Sequence, residues 1–136
     1  MNWRRYFLAL AATGLLTLVA DVLFNAVIFR DVYMRSASFL LPAHELNARV
    51  WLGWAALMSI VAAFGFLLVR GRWLGFRGGL QSGLILAFAG VAGVAGIASI
   101  VAWPAELLAI IAVQQFTNGL ILGVVFGVVY RPIQGH

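Results

Sequence analysis

The chain has 136 residues, 64% of them hydrophobic and 10% charged, with a mean hydropathy of +1.03; that balance excludes a water-soluble globule, which needs far more polar surface. Its formal charge of +5 comes from nine arginines and no lysine set against Asp21, Asp31, Glu45 and Glu106, a pattern that in so apolar a chain reflects membrane topology and lipid headgroups, not nucleic acid. Cysteine is absent, which removes disulfides, thiolate metal sites and thiol catalysis.

Apolar lengths of about 20 residues match the roughly 30 Å hydrocarbon core of a bilayer, and four of them are legible, at about 6–29, 50–69, 79–102 and 105–130. The expected fold is all-α: a single domain over residues 1–136, formed by a four-transmembrane-helix bundle with one interfacial outer loop. Ahead of the first span, Trp3-Arg4-Arg5-Tyr6 superficially resembles a twin-arginine export signal. The apolar run continues past any cleavage point, Leu18 occupies the position where a small residue is needed before Ala20, and three more spans follow. Arg4 and Arg5 read instead as the cytoplasmic anchor of a retained helix.

Within the first span, Gly14, Thr17, Asp21 and Asn25 recur at helical spacing and share a face. A carboxylate facing lipid is expensive, so this face must turn into the bundle, a water-filled cavity or a partner subunit. The loop from Arg30 to Arg49 follows, mixing charges with Phe39, Leu40, Leu41 and Pro42. It is expected along the membrane surface, with a short helix after Pro42 in which Glu45 and Arg49 pair at i, i+4.

The inner loop between the second and third spans carries Arg70, Arg72, Trp73, Phe76 and Arg77. Its three cations suit anionic lipid headgroups. Six arginines (4, 5, 70, 72, 77 and 131) lie on the side of the two termini and three (30, 35 and 49) on the other, which favours both termini in the cytoplasm of an inner (plasma) membrane. The third span offers Gly79, Gly83, Ala87 and Gly90 along one ridge and then Gly93 and Gly96, so it is expected to be the most buried helix or to meet a second chain. The fourth opens with Pro104 and Glu106, the latter favoured by the helix dipole, and repeats Gly119, Gly123 and Gly127 at i+4 steps behind Gln115, a small-xxx-small face.

The fourth span also supplies Gln114, Gln115 and Asn118. At 1.5 Å per residue, Asp21 lies about 12 Å below the outer surface and Gln114 about 13 Å. The two are level, so Asp21, Asn25, Gln114, Gln115 and Asn118 are expected to form one buried polar cluster in the outer half of the bundle. Two readings compete. In one, Asp21 stays neutral because desolvation disfavours its charged form, and it locks the first helix to the fourth. In the other, it alternates between protonated and ionised states and couples proton or cation movement to a solute. A pocket for a lipid, quinone or pigment has no specific residue signal.

No catalytic set stands out. His44-Glu45 begins like a zinc-binding HExxH helix, but no second histidine arrives at the required spacing; no Ser, His, Asp set is present, and the glycines follow no strand and form no GxGxxG. Neither a metal, a cofactor nor an enzymatic activity is expected. The stretch Asp21-Val22-Leu23-Phe24-Asn25, then Phe29-Arg30-Asp31-Val32-Tyr33-Met34-Arg35, then Trp103-Pro104 ahead of a Gly-rich last helix ending in Tyr130 resembles small bacterial four-helix inner-membrane proteins of unknown function. The resemblance implies a bacterial inner-membrane protein of four spans; that family carries an acid near the middle of its last helix, where this chain has Gln114 and Gln115. The expected function is a non-enzymatic helix-packing protein, an accessory or assembly subunit whose partners are lipid, other membrane subunits or copies of itself. The alternative is a small oligomeric proton- or cation-coupled transporter using Asp21.

Overall fold

The structure, a computed structural model, describes residues 2–40 and 75–130. The expected second span at 50–69, the surface helix after Pro42, and Arg70 and Arg72 all lie outside them. Every regular element among the described residues is helical. Helix α1 runs over Trp3–Leu23 and passes directly into a wide π turn, Phe24–Ile28. A short helix α2, Arg30–Arg35, and a 3-10 turn, Ala37–Phe39, follow. Helices α3, Gly75–Ala98, and α4, Ala105–Val129, complete the described chain.

Three of these stretches are long and apolar enough to cross a membrane: Trp3–Ile28, Gly75–Ala98 and Ala105–Val129. The shortest has 24 residues, or about 36 Å of helix against a hydrocarbon core of roughly 30 Å. The third span begins four residues earlier than its apolar run suggests, because Gly75 to Gly78 are already helical and the run's far end, from Ser99, is a turn. The Ser99 amide closes that turn on the Gly96 carbonyl. Pro104, extended at the N-cap of α4, then starts the last helix.

Helix α4 is antiparallel to both α1 and α3 and packs against each. Its two contact faces are i+4 stripes offset by one residue, hence about 100° apart. Glu106, Ile110, Gln114, Asn118, Leu122, Phe126 and Tyr130 lie along the stripe toward α1 and α2. Gln115, Gly119, Gly123 and Gly127 form the stripe toward α3.

The α3–α4 seam is a backbone-to-backbone contact. A methyl group placed on Gly79 would lie 2.7 Å from the Gly123 carbonyl oxygen, and one on Gly83 would lie 3.1 Å from that of Leu120. Methyls on Gly119 and Gly123 would run into the backbones of Ala87 and Gly83. Small residues at these points let two helices approach until dispersion contacts replace those with lipid tails, which drives association where the hydrophobic effect is absent. Gly90 joins the seam against Gln115, but Gly93 and Gly96 meet nothing within 4 Å among the described residues. They were expected in the packing set; they stand roughly 80° and 140° round the helix from Gly83, off the ridge that carries Gly79, Gly83, Ala87 and Gly90. For the same reason α3 leaves much of its surface exposed, and among the described residues α4, not α3, is central.

At the opposite end from α2, Tyr6 and Ala9 of α1 pack with Phe126 and Tyr130, flanked by Leu10, Leu122 and Val129. The Tyr6 and Phe126 rings meet edge to face at 5.9 Å between centroids, a favoured aromatic geometry.

The seam predicts opposite outcomes for one kind of substitution. Gly119→Ala and Gly123→Ala should lower stability by about 1–3 kcal/mol through overpacking against backbone that has no room to yield. Gly93→Ala and Gly96→Ala should be neutral or stabilising by up to about 1 kcal/mol from helix propensity. Unfolding midpoints in mild detergent titrated with SDS measure both; equal losses at all four positions would rule out the seam.

Candidate functional site

The first helix presents Tyr6, Ala9, Thr13, Thr17, Asp21 and Asn25 in steps of three and four, and the first half of that stripe is buried while the second is polar. Thr17 uses its hydroxyl on its own helix, donating to the carbonyls of Thr13 and Gly14. Gly14 has nothing within 4 Å among the described residues; Thr13 takes the inward place instead, since it lies a full turn before Thr17. Asp21 and Asn25 then reach across to α4.

The contacts form a ladder. Asn118 Nδ2 donates to Asp21 Oδ1 at 3.2 Å. One turn further out, Gln114 Nε2 donates to Asn25 Oδ1 at 2.9 Å, and the Tyr33 hydroxyl donates to Gln114 Oε1 at 2.8 Å. At the surface, Arg35 Nη2 pairs with both carboxylate oxygens of Glu106 at 3.0 and 3.2 Å. Gln114 is buried, at 8% exposure, and serves as the hub, its donor satisfying Asn25 and its acceptor satisfying Tyr33. Asp21 and Asn118 are half-buried, and Asn25 is the most open of the set.

The structure thus brings Asp21, Asn25, Gln114 and Asn118 together but leaves Gln115 out. Gln115 is exposed and its Cβ faces Gly90 on the α3 side. One residue's step along a helix rotates a side chain by about 100°, so Gln114 and Gln115 cannot serve one face.

Two members were missed from the sequence alone. Tyr33 lies beyond the apolar run, yet Asp21, Asn25, Phe29 and Tyr33 continue the same i+4 spacing, a signal that placing the loop from Arg30 along the membrane surface concealed. The π turn and α2 carry the helical path onward: the Phe29 amide bonds back to the Phe24 carbonyl at 2.8 Å, and the two rings stack at 5.7 Å. Such wide turns recur where a helix is re-aimed at a functional position. Arg35 and Glu106 are opposite charges at the same end of antiparallel helices, but their pairing depends on where α2 lies, which no spacing within either helix states.

Electrostatics differ along the bundle. The end holding the N-termini of α1 and α3 carries Arg4, Arg5 and Arg77, all exposed, and no acid among the described residues. The other end balances Arg30 and Arg35 with Asp31 and Glu106. Burial, and secondarily the nearby Asp21 carboxyl when ionised, pushes the Tyr33 phenol above its ordinary 10.0. Since its folded value is raised, the stability linked to its proton is fully present below 10.0 and is lost only as pH climbs through the higher folded value. Tyr33 is therefore a donor to Gln114 at any physiological pH. Among the described residues no group of three His, Cys, Asp or Glu side chains gathers to hold a metal ion.

The ladder's rungs should differ in weight. Gln114→Leu leaves Asn25 and Tyr33 each without a partner and should cost about 1–3 kcal/mol. Tyr33→Phe, which orphans only the Gln114 acceptor, should cost less. Arg35→Gln breaks an ion pair whose side chains are 65% and 59% exposed and should change stability by less than about 1 kcal/mol. The same detergent unfolding assay ranks the three, and a larger loss for Arg35→Gln than for Gln114→Leu would reverse this account.

No protein family model, curated protein or solved structure matches the chain, so what the ladder does has to be argued from its own chemistry.

Proposed function

We propose that this chain is a non-enzymatic integral protein of a bacterial inner membrane that works through helix packing, as an accessory or assembly subunit of a membrane complex. The observation that carries this reading is the single-stripe attachment of α1 among the described residues. Its polar groups turn to α4, while Phe7, Leu8, Leu15, Leu16, Leu18, Val19, Val22 and Leu23 remain exposed. A first helix so joined offers its remaining circumference to lipid or to another transmembrane helix.

In this reading both termini are cytoplasmic, because six arginines (4, 5, 70, 72, 77 and 131) lie on their side in the sequence against three (30, 35 and 49) on the other. Of the six, Arg4, Arg5, Arg70, Arg72 and Arg77 would meet anionic headgroups. A fourth span at 50–69 completes the bundle.

A second reading, a small oligomeric proton- or cation-coupled transporter, is favoured by one specific observation. Among the described residues Asp21 accepts one side-chain hydrogen bond, from Asn118, and it is only half-buried. An acid kept inside a span with so little fixing it is poised for function.

Extraction in mild detergent followed by native mass spectrometry separates the two. Stoichiometric foreign subunits support the packing reading, and a clean homo-oligomer with no foreign chain supports transport. Substitution adds an independent axis: if Asp21 is structural, Asp21→Asn should preserve assembly, because a carboxamide keeps a hydrogen bond to Asn118, whereas Asp21→Leu should weaken it. If it carries a coupling proton, Asp21→Asn should abolish ion-coupled uptake while oligomer size stays the same.

A further inference from the structure

The polar groups between α1 and α4 are unevenly distributed along the bundle. From the α2 end inward they run from Arg35 and Glu106 through Tyr33, Gln114 and Asn25 to Asn118 and Asp21. There they stop. Thr17, the next side chain on the stripe, is turned back onto its own helix, and Thr13 beyond it is buried, at 5% exposure, its hydroxyl meeting no side chain among the described residues that would continue the ladder. The remaining half is closed by Tyr6, Ala9, Phe126 and Tyr130, with Leu10, Leu122 and Val129 packed against them. Asp21 is thus the inner terminus of a one-sided polar path.

At that terminus one acceptor is left over. Asn118 Oδ1 is buried and has no hydrogen-bond partner among the described residues, although the same carboxamide donates to Asp21. A buried acceptor left unpaired in a low-dielectric interior is costly. Among the described residues the side chain bonded to Asn118 is Asp21, whose carboxyl can supply a donor only when it holds a proton.

We propose that Asp21 and Asn118 form a proton-binding site, open through the bundle to the compartment at the Tyr33 end and closed to the compartment at the Tyr6 end. In the loaded state the acid O–H donates to Asn118 Oδ1 while Asn118 Nδ2 donates to Asp21 Oδ1, a reciprocal acid–amide pair. In the unloaded state the carboxylate keeps the Nδ2 bond and confronts the amide oxygen with a second acceptor. The group facing the pair from α2 that titrates is Tyr33, a neutral donor; the Arg35–Glu106 ion pair stands further out, at the mouth. Residues 50–69 contain no ionisable side chain. The site deepens the transport reading without requiring it: a chain that purifies with foreign subunits and still titrates at Asp21 keeps the site and loses transport.

The test uses the unmodified chain in oriented membrane vesicles, right-side-out and inverted, with a hydrophobic carbodiimide as probe. This reagent takes the carboxyl proton onto nitrogen as the carboxyl oxygen bonds its central carbon; an acyl shift from oxygen to nitrogen then leaves an N-acylurea that retains the whole reagent. Peptide mass spectrometry places the adduct. The expected result is labelling at Asp21 that falls about tenfold per pH unit above a single midpoint, and that follows the pH of the Tyr33-side compartment alone when the two compartments are buffered separately. Labelling that follows the Tyr6-side pH, or both equally, overturns the one-sided path; no Asp21 adduct at any pH overturns the proton site.

Because the chain lacks cysteine, access can also be read without carbodiimide. Asp21→Cys should react with a charged, membrane-impermeant thiol reagent from the side that modifies Asp31→Cys and not from the side that modifies Arg5→Cys. Thr13→Cys should react from neither. Reaction of Thr13→Cys from the Arg5 side would show that the aromatic end is open and overturn the proposal.

Discussion

The near-contact of backbone with backbone along Gly79, Gly83, Gly119, Gly123 and Gly127 is the constraint on which the other described elements depend. Lipid tails are as apolar as leucine, so two transmembrane helices gain little by hiding apolar side chains from them. They gain by fitting more closely than lipid can. The α3–α4 pair does this with glycines, and in doing so sets the rotation of α4 about its own axis. That rotation turns the stripe one residue over, Gln114 and Asn118 included, toward α1. A packing decision on one face thereby determines which polar side chains are offered on the next.

The first helix is held in a different way. Its N-terminal half meets α4 through aromatic and small apolar contacts around Tyr6 and Phe126, and its C-terminal half through hydrogen bonds. Individually such bonds in a bilayer contribute little, on the order of 0.6 kcal/mol and rarely above about 1.7. Their importance lies in direction: each rung has one geometry, so together they set the register of α1 on α4. The π turn at Phe24–Ile28 works to the same end. It keeps the backbone helical past the end of the apolar run, so that α2 can bring Tyr33 back over Gln114 and Arg35 over Glu106.

The proposed proton site lies where these two modes of attachment leave a buried acceptor unpaired among the described residues. The rung nearest the middle of the bundle pairs an acid with a carboxamide and has one acceptor too many. A purely structural lock would do as well with two carboxamides, each donating to the other. An acid in place of the second one makes the rung's hydrogen-bonding depend on a proton, and in the proposed proton site the packed aromatic end below it gives that proton a direction of approach.

Much of this was legible in the sequence, and the limits of legibility have a physical cause. The helical class, three of the apolar spans, the shared face of Asp21 and Asn25, and the level placement of Asp21 with Gln114 follow from hydropathy, helical periodicity and the 1.5 Å rise, which are properties of single helices. The tertiary structure decided what depends on the rotation of one helix against another. It assigned Gln115 to α3 and Gln114 to α1, kept Gly93 and Gly96 off the seam, made α4 and not α3 the central described helix, and brought Tyr33 and Arg35 back from beyond the apolar run. A helical repeat gives relative angles within one helix; the absolute rotation is chosen only when two surfaces meet, and here the glycine seam made that choice.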